Sequence, residues 1–219
     1  ARLASTSSQS ETLRAQLADF DVRVASALMR ELEDGEPTAS ANLRRLGRPT
    51  TAPFLLGVTG HGGVGKSSLV SALTTHWRQR DWRVCVLAID PSSSMTGGAL
   101  FGDRLRMRAH ATDSHVFVRS AGTRGHWGGV SATTAELVDV MQHMQPHVLV
   151  VETVGTGQAE AAIAEIVDVT LLVSMPRTGD DVQAMKGGIL EVADLIVVNK
   201  CDLPGAGQAA AELGTAQRW

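Results

Sequence analysis

Cysteine and aromatic rings are scarce in this sequence. Among 219 residues there are two cysteines, four phenylalanines, four tryptophans and no tyrosine. Cys85 and Cys201 stand far apart, so they supply neither the closely spaced thiols of a structural zinc site nor a disulfide framework, and a reducing compartment is expected. An excess of charge of one sign is missing too. The 20 Lys and Arg against 23 Asp and Glu leave a formal charge of −3, which gives no broad electrostatic hold on nucleic acid or anionic lipid. No apolar run approaches the roughly 20 residues that span a bilayer. The Ser-rich stretch Ala1 to Ser10 lacks the apolar middle of a secretory signal. These absences lead us to expect a soluble, cytoplasmic protein with no nucleic-acid or membrane partner. Its length suits one domain with an appendage, or at most two small domains.

What is present divides near residue 50. Leu13, Leu17, Phe20, Val24 and Leu28 recur at three- or four-residue steps, which predicts a helix over 11–33 with Ser10 as its cap. Asp34-Gly35-Glu36-Pro37 stops it, and a shorter helix is predicted over 39–46, ending at Gly47. We read residues 1–50 as an N-terminal helical appendage without chemistry of its own and 51–219 as the main domain. In the main domain, strands are predicted at 54–59, 83–89, 116–119, 148–151, 170–174 and 195–198. Helices are predicted at 66–79, 133–145, 159–167 and 182–192, with another beginning after Leu203. This alternation implies an α/β fold: a mostly parallel sheet with helices on both faces. Val148 to Val151 is continuously apolar and β-branched, as befits a strand buried on both sides.

The strongest motif is Gly60-His61-Gly62-Gly63-Val64-Gly65-Lys66-Ser67, followed by Ser68, between a predicted strand and a predicted helix. Glycines at these spacings let backbone N–H groups close on phosphate oxygens, and the helix that follows turns its positive end toward the anion. In such a loop the lysine reaches the β- and γ-phosphates and the serine hydroxyl binds Mg²⁺. Asn199-Lys200-Cys201-Asp202 follows a late apolar strand. There a carboxylate can accept from the N1–H and exocyclic amine of guanine, a pattern that adenine does not present. Together the two motifs favour GTP over ATP and argue against a small-molecule kinase. Glu152-Thr153-Val154-Gly155 closes another strand; Glu152 can hold Mg²⁺ directly or through water, and Gly155 can offer its N–H to the γ-phosphate. Asp90 and Asp103 lie in Ser- and Gly-rich sequence that suits either a moving nucleotide-responsive loop or an ordinary hydrophilic one.

Three stretches resemble one family. They are Leu87-Ala88-Ile89-Asp90-Pro91-Ser92-Ser93-Ser94 with Thr96-Gly97-Gly98 and Gly102-Asp103, then Glu152-Thr153-Val154-Gly155-x-Gly157-Gln158, and then Gly179-Asp180-Asp181-Val182-Gln183-x-x-Lys186-x-Gly188. In order and spacing these are similar to the methylmalonyl-CoA mutase-associated GTPases, over residues 54 to 202. The resemblance implies slow GTP hydrolysis that gates loading or protection of adenosylcobalamin on an acyl-CoA mutase, with GTP or GDP and Mg²⁺ as ligands and a homodimer as the assembly. It implies that Lys66, Glu152 and Asp90 serve catalysis, that Ser67, Asp90, Asp103 and Glu152 line the metal site, and that Asn199, Lys200 and Asp202 bind the nucleotide with the 60–68 loop and Gly155. Gln183 and Lys186 would sense the partner. Departures are Gly62-Gly63 where the family more often has Pro-Gly, and His126-Trp127 in a loop that is usually Pro- and Ser-rich. The family's C-terminal dimerising extension is not in this sequence, so either a truncated piece of a longer chain or a shortened member of the family is expected. Two alternatives stand beside this reading: a metallocentre-assembly GTPase of the same class, and a nucleotide-binding scaffold with little hydrolysis.

Overall fold

The computed structural model describes residues 2–90, 110–122, 132–153, 159–176 and 189–216. Six strands form one sheet: β1 (Phe54–Thr59), β2 (Val84–Asp90), β3 (Val116–Gly122), β4 (Val148–Thr153), β5 (Val169–Ser174) and β6 (Leu195–Val198). Their order is β3-β2-β4-β1-β5-β6, and every pairing is parallel. The described helices are α1 (Arg2–Ala18), α2 (Val22–Glu33), α3 (Pro37–Leu46), α4 (Lys66–Arg78), α5 (Ala132–His143), α6 (Ala159–Ala164) and α7 (Ala206–Ala216). The helix expected over 182–192 falls largely on residues outside those described.

Side chains alternate across the sheet with period two. Leu55, Leu87, Leu149 and Val151 join a core with α1, α2, α3 and α5 on one face. Leu56, Val58, Val86, Val148 and Val150 join a second core with Val70 of α4 on the other. The central strands are apolar in both directions because both faces are covered. This is the parallel α/β sheet that the alternation predicts.

The single helix expected over 11–33 is two helices. The chain breaks at Asp19 to Asp21, where Phe20 adopts a left-handed conformation (φ 65°) and remains buried. Asp21 accepts from the backbone N–H groups of Arg23 (2.9 Å) and Val24 (3.1 Å) and so caps α2. Leu17, Phe20 and Leu28 all enter the same core, so apolar spacing ran unbroken through a turn. Ser10, expected to cap, sits in the middle of α1. Asp21→Ala should cost about 1 kcal/mol, read as a lowered midpoint in urea with an unchanged slope.

Two arginines, one just before β2 and one within β3, hold the helical hairpin in place. Arg83 donates to the Ala18 carbonyl (2.9 Å) and lies over the Phe20 ring. Arg119 of β3 pairs with Glu33 at the end of α2, both side chains mostly buried. The N-terminal helices therefore share one core with the sheet.

Candidate functional site

In a parallel sheet the strand ends at one edge all carry loops, and ligands bind outside the carboxyl edge where neighbouring connections diverge. Here β1 lies between β4 and β5. The chain leaves β1 for α4 on one face and leaves β4 for α6 on the other. The crevice between β1 and β4 is thus flanked by the two sequence motifs that follow these strands.

The loop from Gly60 to Gly65 is shaped by backbone that only glycine adopts readily. Gly60 has φ 137° and Gly65 φ 100°. A Cβ on Gly60 would lie 2.1 Å from the Val173 carbonyl oxygen, and one on Gly65 would lie 2.4 Å from the Asn199 amide nitrogen. Gly65 starts α4 and makes no side-chain cap hydrogen bond, so no cap of its own competes for the first N–H groups at the positive end of the helix.

Lys66 begins α4 and is buried, with 6% of its surface exposed. Its ammonium donates to the carbonyls of Gly60 (2.7 Å) and His61 (3.0 Å). The lysine thus reaches back from the end of the loop and ties it to the loop's first two residues. Ser67 donates its hydroxyl hydrogen bond to Glu152 Oε1 at 2.7 Å, and both residues are buried. Glu152 is brought there by pairing of β4 with β1, in which it stands opposite Val58. A hydroxyl and a carboxylate side by side are hard oxygen donors suited to Mg²⁺, which takes few protein ligands and keeps water or phosphate for the rest. These two residues fit that ion.

The guanine-type motif reaches the same loop. The Asn199 amide donates to the Val64 carbonyl and the Lys200 ammonium to the Gly63 carbonyl, both at 2.8 Å. Lys200 takes a left-handed conformation (φ 55°) that re-aims the chain just past β6. Asp202 is exposed beyond it, as is Ser68 on α4, and Gly62 and Gly63 are exposed in the loop. Asp90 ends β2 at the same edge of the sheet. Asp103, Gly155, Gln183 and Lys186 lie outside the described residues.

Two residues escaped the sequence reading. Thr59 and Thr153, both fully buried, close β1 and β4, and the Thr153 hydroxyl donates to that of Thr59 at 3.1 Å. This ties the strand leading to the loop to the strand bearing Glu152. The available signal was a polar residue at the end of each of two otherwise apolar strands.

A parallel sheet with a Gly-rich loop, a buried lysine and a serine opening the next helix defines a P-loop nucleoside-triphosphatase fold. Residues 25–219 match the family described as Methylmalonyl Co-A mutase-associated GTPase MeaB. The chain belongs to this methylmalonyl-CoA mutase-associated GTPase family. It is 42% identical over 196 residues to a GTPase-named protein of Pyrococcus abyssi, covering 90% of this chain and 60% of that one. It is 37% identical over 191 residues to the Mus musculus protein named methylmalonic aciduria type A homolog, mitochondrial, covering 87% of this chain and 43% of that one. A solved structure of a LAO/AO transport system kinase superposes with a TM-score of 0.69 at 25% identity, covering 96% of this chain and 61% of that one. The chain therefore spans about two-fifths to three-fifths of the length of these relatives.

Proposed function

We propose that this protein binds and hydrolyses GTP, and that its nucleotide state gates the loading or protection of adenosylcobalamin on a partner acyl-CoA mutase. The observation that carries the first half is the seating of Asn199 and Lys200 on the backbone of the 60–65 loop. A base reader joined to a phosphate loop at this spacing selects one nucleotide as a unit. The second half rests on the family, whose description names the mutase.

In this reading the loop N–H groups and the start of α4 receive the phosphates. Lys66 places its charge on the β- and γ-phosphate oxygens. Bound Mg²⁺ would be held by Ser67 and Glu152, with Asp90 and Asp103 proposed as further oxygen donors at its site, and it supplies neutralisation of charge on the phosphate oxygens. Gly155 offers its N–H to the γ-phosphate, and Gln183 and Lys186 carry the state to the partner. Catalysis is mainly electrostatic, because among the described residues no side chain at the site stands out as a general base. Nucleotide and Mg²⁺ should strengthen each other's binding, since the cation would neutralise charge on the same phosphate oxygens that it and Lys66 engage.

Asp202 tests the base assignment. Asp202→Asn replaces an acceptor with an amide that can donate, so GTP affinity should fall by about 10- to 100-fold. Affinity for the xanthine nucleotide, which carries a carbonyl where guanine has its amine, should rise. Competition against a fluorescent guanine nucleotide reads both. Equal turnover of ATP and GTP by the unmodified protein would remove the assignment. For the partner, co-purification with candidate acyl-CoA mutases in GDP and in a non-hydrolysable GTP analogue is the test. Complexes indifferent to nucleotide would count against gating.

A further inference from the structure

The opposite edge of the sheet holds a second concavity, remote from the phosphate loop. It is a cleft of about 600 Å³ at the amino ends of β1 and β4, walled by Phe54, Trp77, Trp82 and His147, with Thr51 and Gln145 among its polar lining. Phe54 and Lys66 lie at opposite ends of the β1–α4 unit. β1 spans about 17 Å, and α4 returns about 16 Å between Lys66 and Trp77. The cleft is thus a separate site.

Several features set it apart from an incidental apolar patch. Of the five Phe and Trp residues among those described, Phe54, Trp77 and Trp82 meet here, while Phe20 and Phe117 lie in an otherwise aliphatic core. Trp77 and Trp82 pack against the aliphatic core and also line the cleft, while Phe54 is 44% exposed. The Trp82 and His147 rings lie parallel, 5.8 Å between centroids and 5° between planes.

This shelf is held from several directions. The Arg78 guanidinium donates to the Trp82 carbonyl (2.8 Å) while pairing with Asp113 (2.8 Å). The Arg83 backbone N–H donates to His147 Nδ1 (3.0 Å), and the His147 N–H returns a bond to the Arg83 carbonyl (2.9 Å). Two of the four non-glycine residues with positive φ among those described are Asp81 (57°) and Gln145 (53°). One precedes Trp82 and the other precedes Pro146-His147. Unfavourable backbone of this kind persists where the surroundings over-determine it, and it gathers at binding sites.

The lining also specifies chemistry. Because Nδ1 of His147 accepts from a backbone N–H, the ring hydrogen of the neutral imidazole is on Nε2, which is left as a donor. None of the lining residues is an acid, a lysine or an arginine. The volume falls in the range of small-molecule sites, in which aromatic walls hold the body of the ligand and a few polar groups orient it. We propose that this cleft binds a neutral, planar heteroaromatic ring that carries a hydrogen-bond acceptor on its edge. The ring stacks on the aromatic walls and accepts from His147 Nε2–H. The site is independent of the nucleotide reading above.

The probe is quinoline, which is flat, uncharged at pH 7.5 and bears one edge acceptor; cyclohexylmethanol serves as an aliphatic control. Saturation-transfer NMR should show quinoline binding to the intact chain, with the control at least ten-fold weaker. Excess GDP should leave quinoline bound. Trp82→Leu should weaken binding at least ten-fold, and His147→Phe, which keeps a ring but loses the donor, should weaken it several-fold. Each variant is checked for folding by circular dichroism and for unchanged GDP binding, and His147→Phe alone decides the matter if Trp82→Leu does not fold. Absence of quinoline binding, equal binding of the control, displacement by GDP, or indifference to His147→Phe would each overturn the proposal.

Discussion

Lys66→Ala is expected to abolish GTP hydrolysis while leaving the protein folded. The ammonium is buried against the carbonyls of Gly60 and His61, at the head of a helix whose first N–H groups have no side-chain cap. In the proposed reaction this charge moves from the loop carbonyls to phosphate oxygens, whose negative charge is redistributed in the transition state. Removing one such preorganised donor costs about 100- to 1,000-fold in rate, and a full charge lies at or beyond the upper end. Stability responds far less. The Gly60 carbonyl is buried and that of His61 half-buried, and the volume vacated by the lysine side chain gives a water room to replace the ammonium. Single-turnover phosphate release, beside a thermal melt, separates the two effects. A residual rate within ten-fold of the unmodified protein would sink the role given to Lys66.

Gly60→Ala and Gly62→Ala should differ sharply although both glycines belong to the same motif. At Gly60 the new methyl group would lie 2.1 Å from a backbone oxygen of β5, at a φ of 137°. A strand in the middle of the sheet cannot retreat without breaking its pairing to β1. Overpacking and left-handed strain together cost about 3–5 kcal/mol, a fall in melting temperature on the order of 10 °C for a chain of this size. Around Gly62 nothing lies within 4 Å of the new methyl, and the change should fall within about 0.5 kcal/mol. Differential scanning calorimetry of the two variants decides this. Equal melting temperatures would show that the loop does not press on β5 as described.

The strands were legible because their apolar runs are short and bounded. β1 and β6 begin and end where the residue pattern predicts. β2 and β3 run on to Asp90 and Gly122, because pairing between neighbours extends a strand past the point where its own hydrophobicity stops. The helical break at Phe20 was hidden for the opposite reason. Its side chain is apolar and correctly spaced for a helix, yet it is buried from a turn. Periodicity reports which residues face the core, not whether the backbone between them is continuous.

The sequence by itself determined the class of site: glycines, a lysine and a serine between a strand and a helix, and an Asn-Lys-x-Asp segment after a later strand, each chosen by local chemistry. Tertiary structure decided which of these meet. Asn199 and Val64 are 135 positions apart, and Ser67 and Glu152 are 85 apart. They touch because parallel pairing puts β1 between β4 and β5 and aligns the carboxyl ends of the strands at one edge. The same pairing sets Phe54 beside Val148 at the other edge. There, rings unremarkable in sequence become the walls of a cleft. Strand order is a property of the packed sheet as a whole, and no local stretch of residues encodes it.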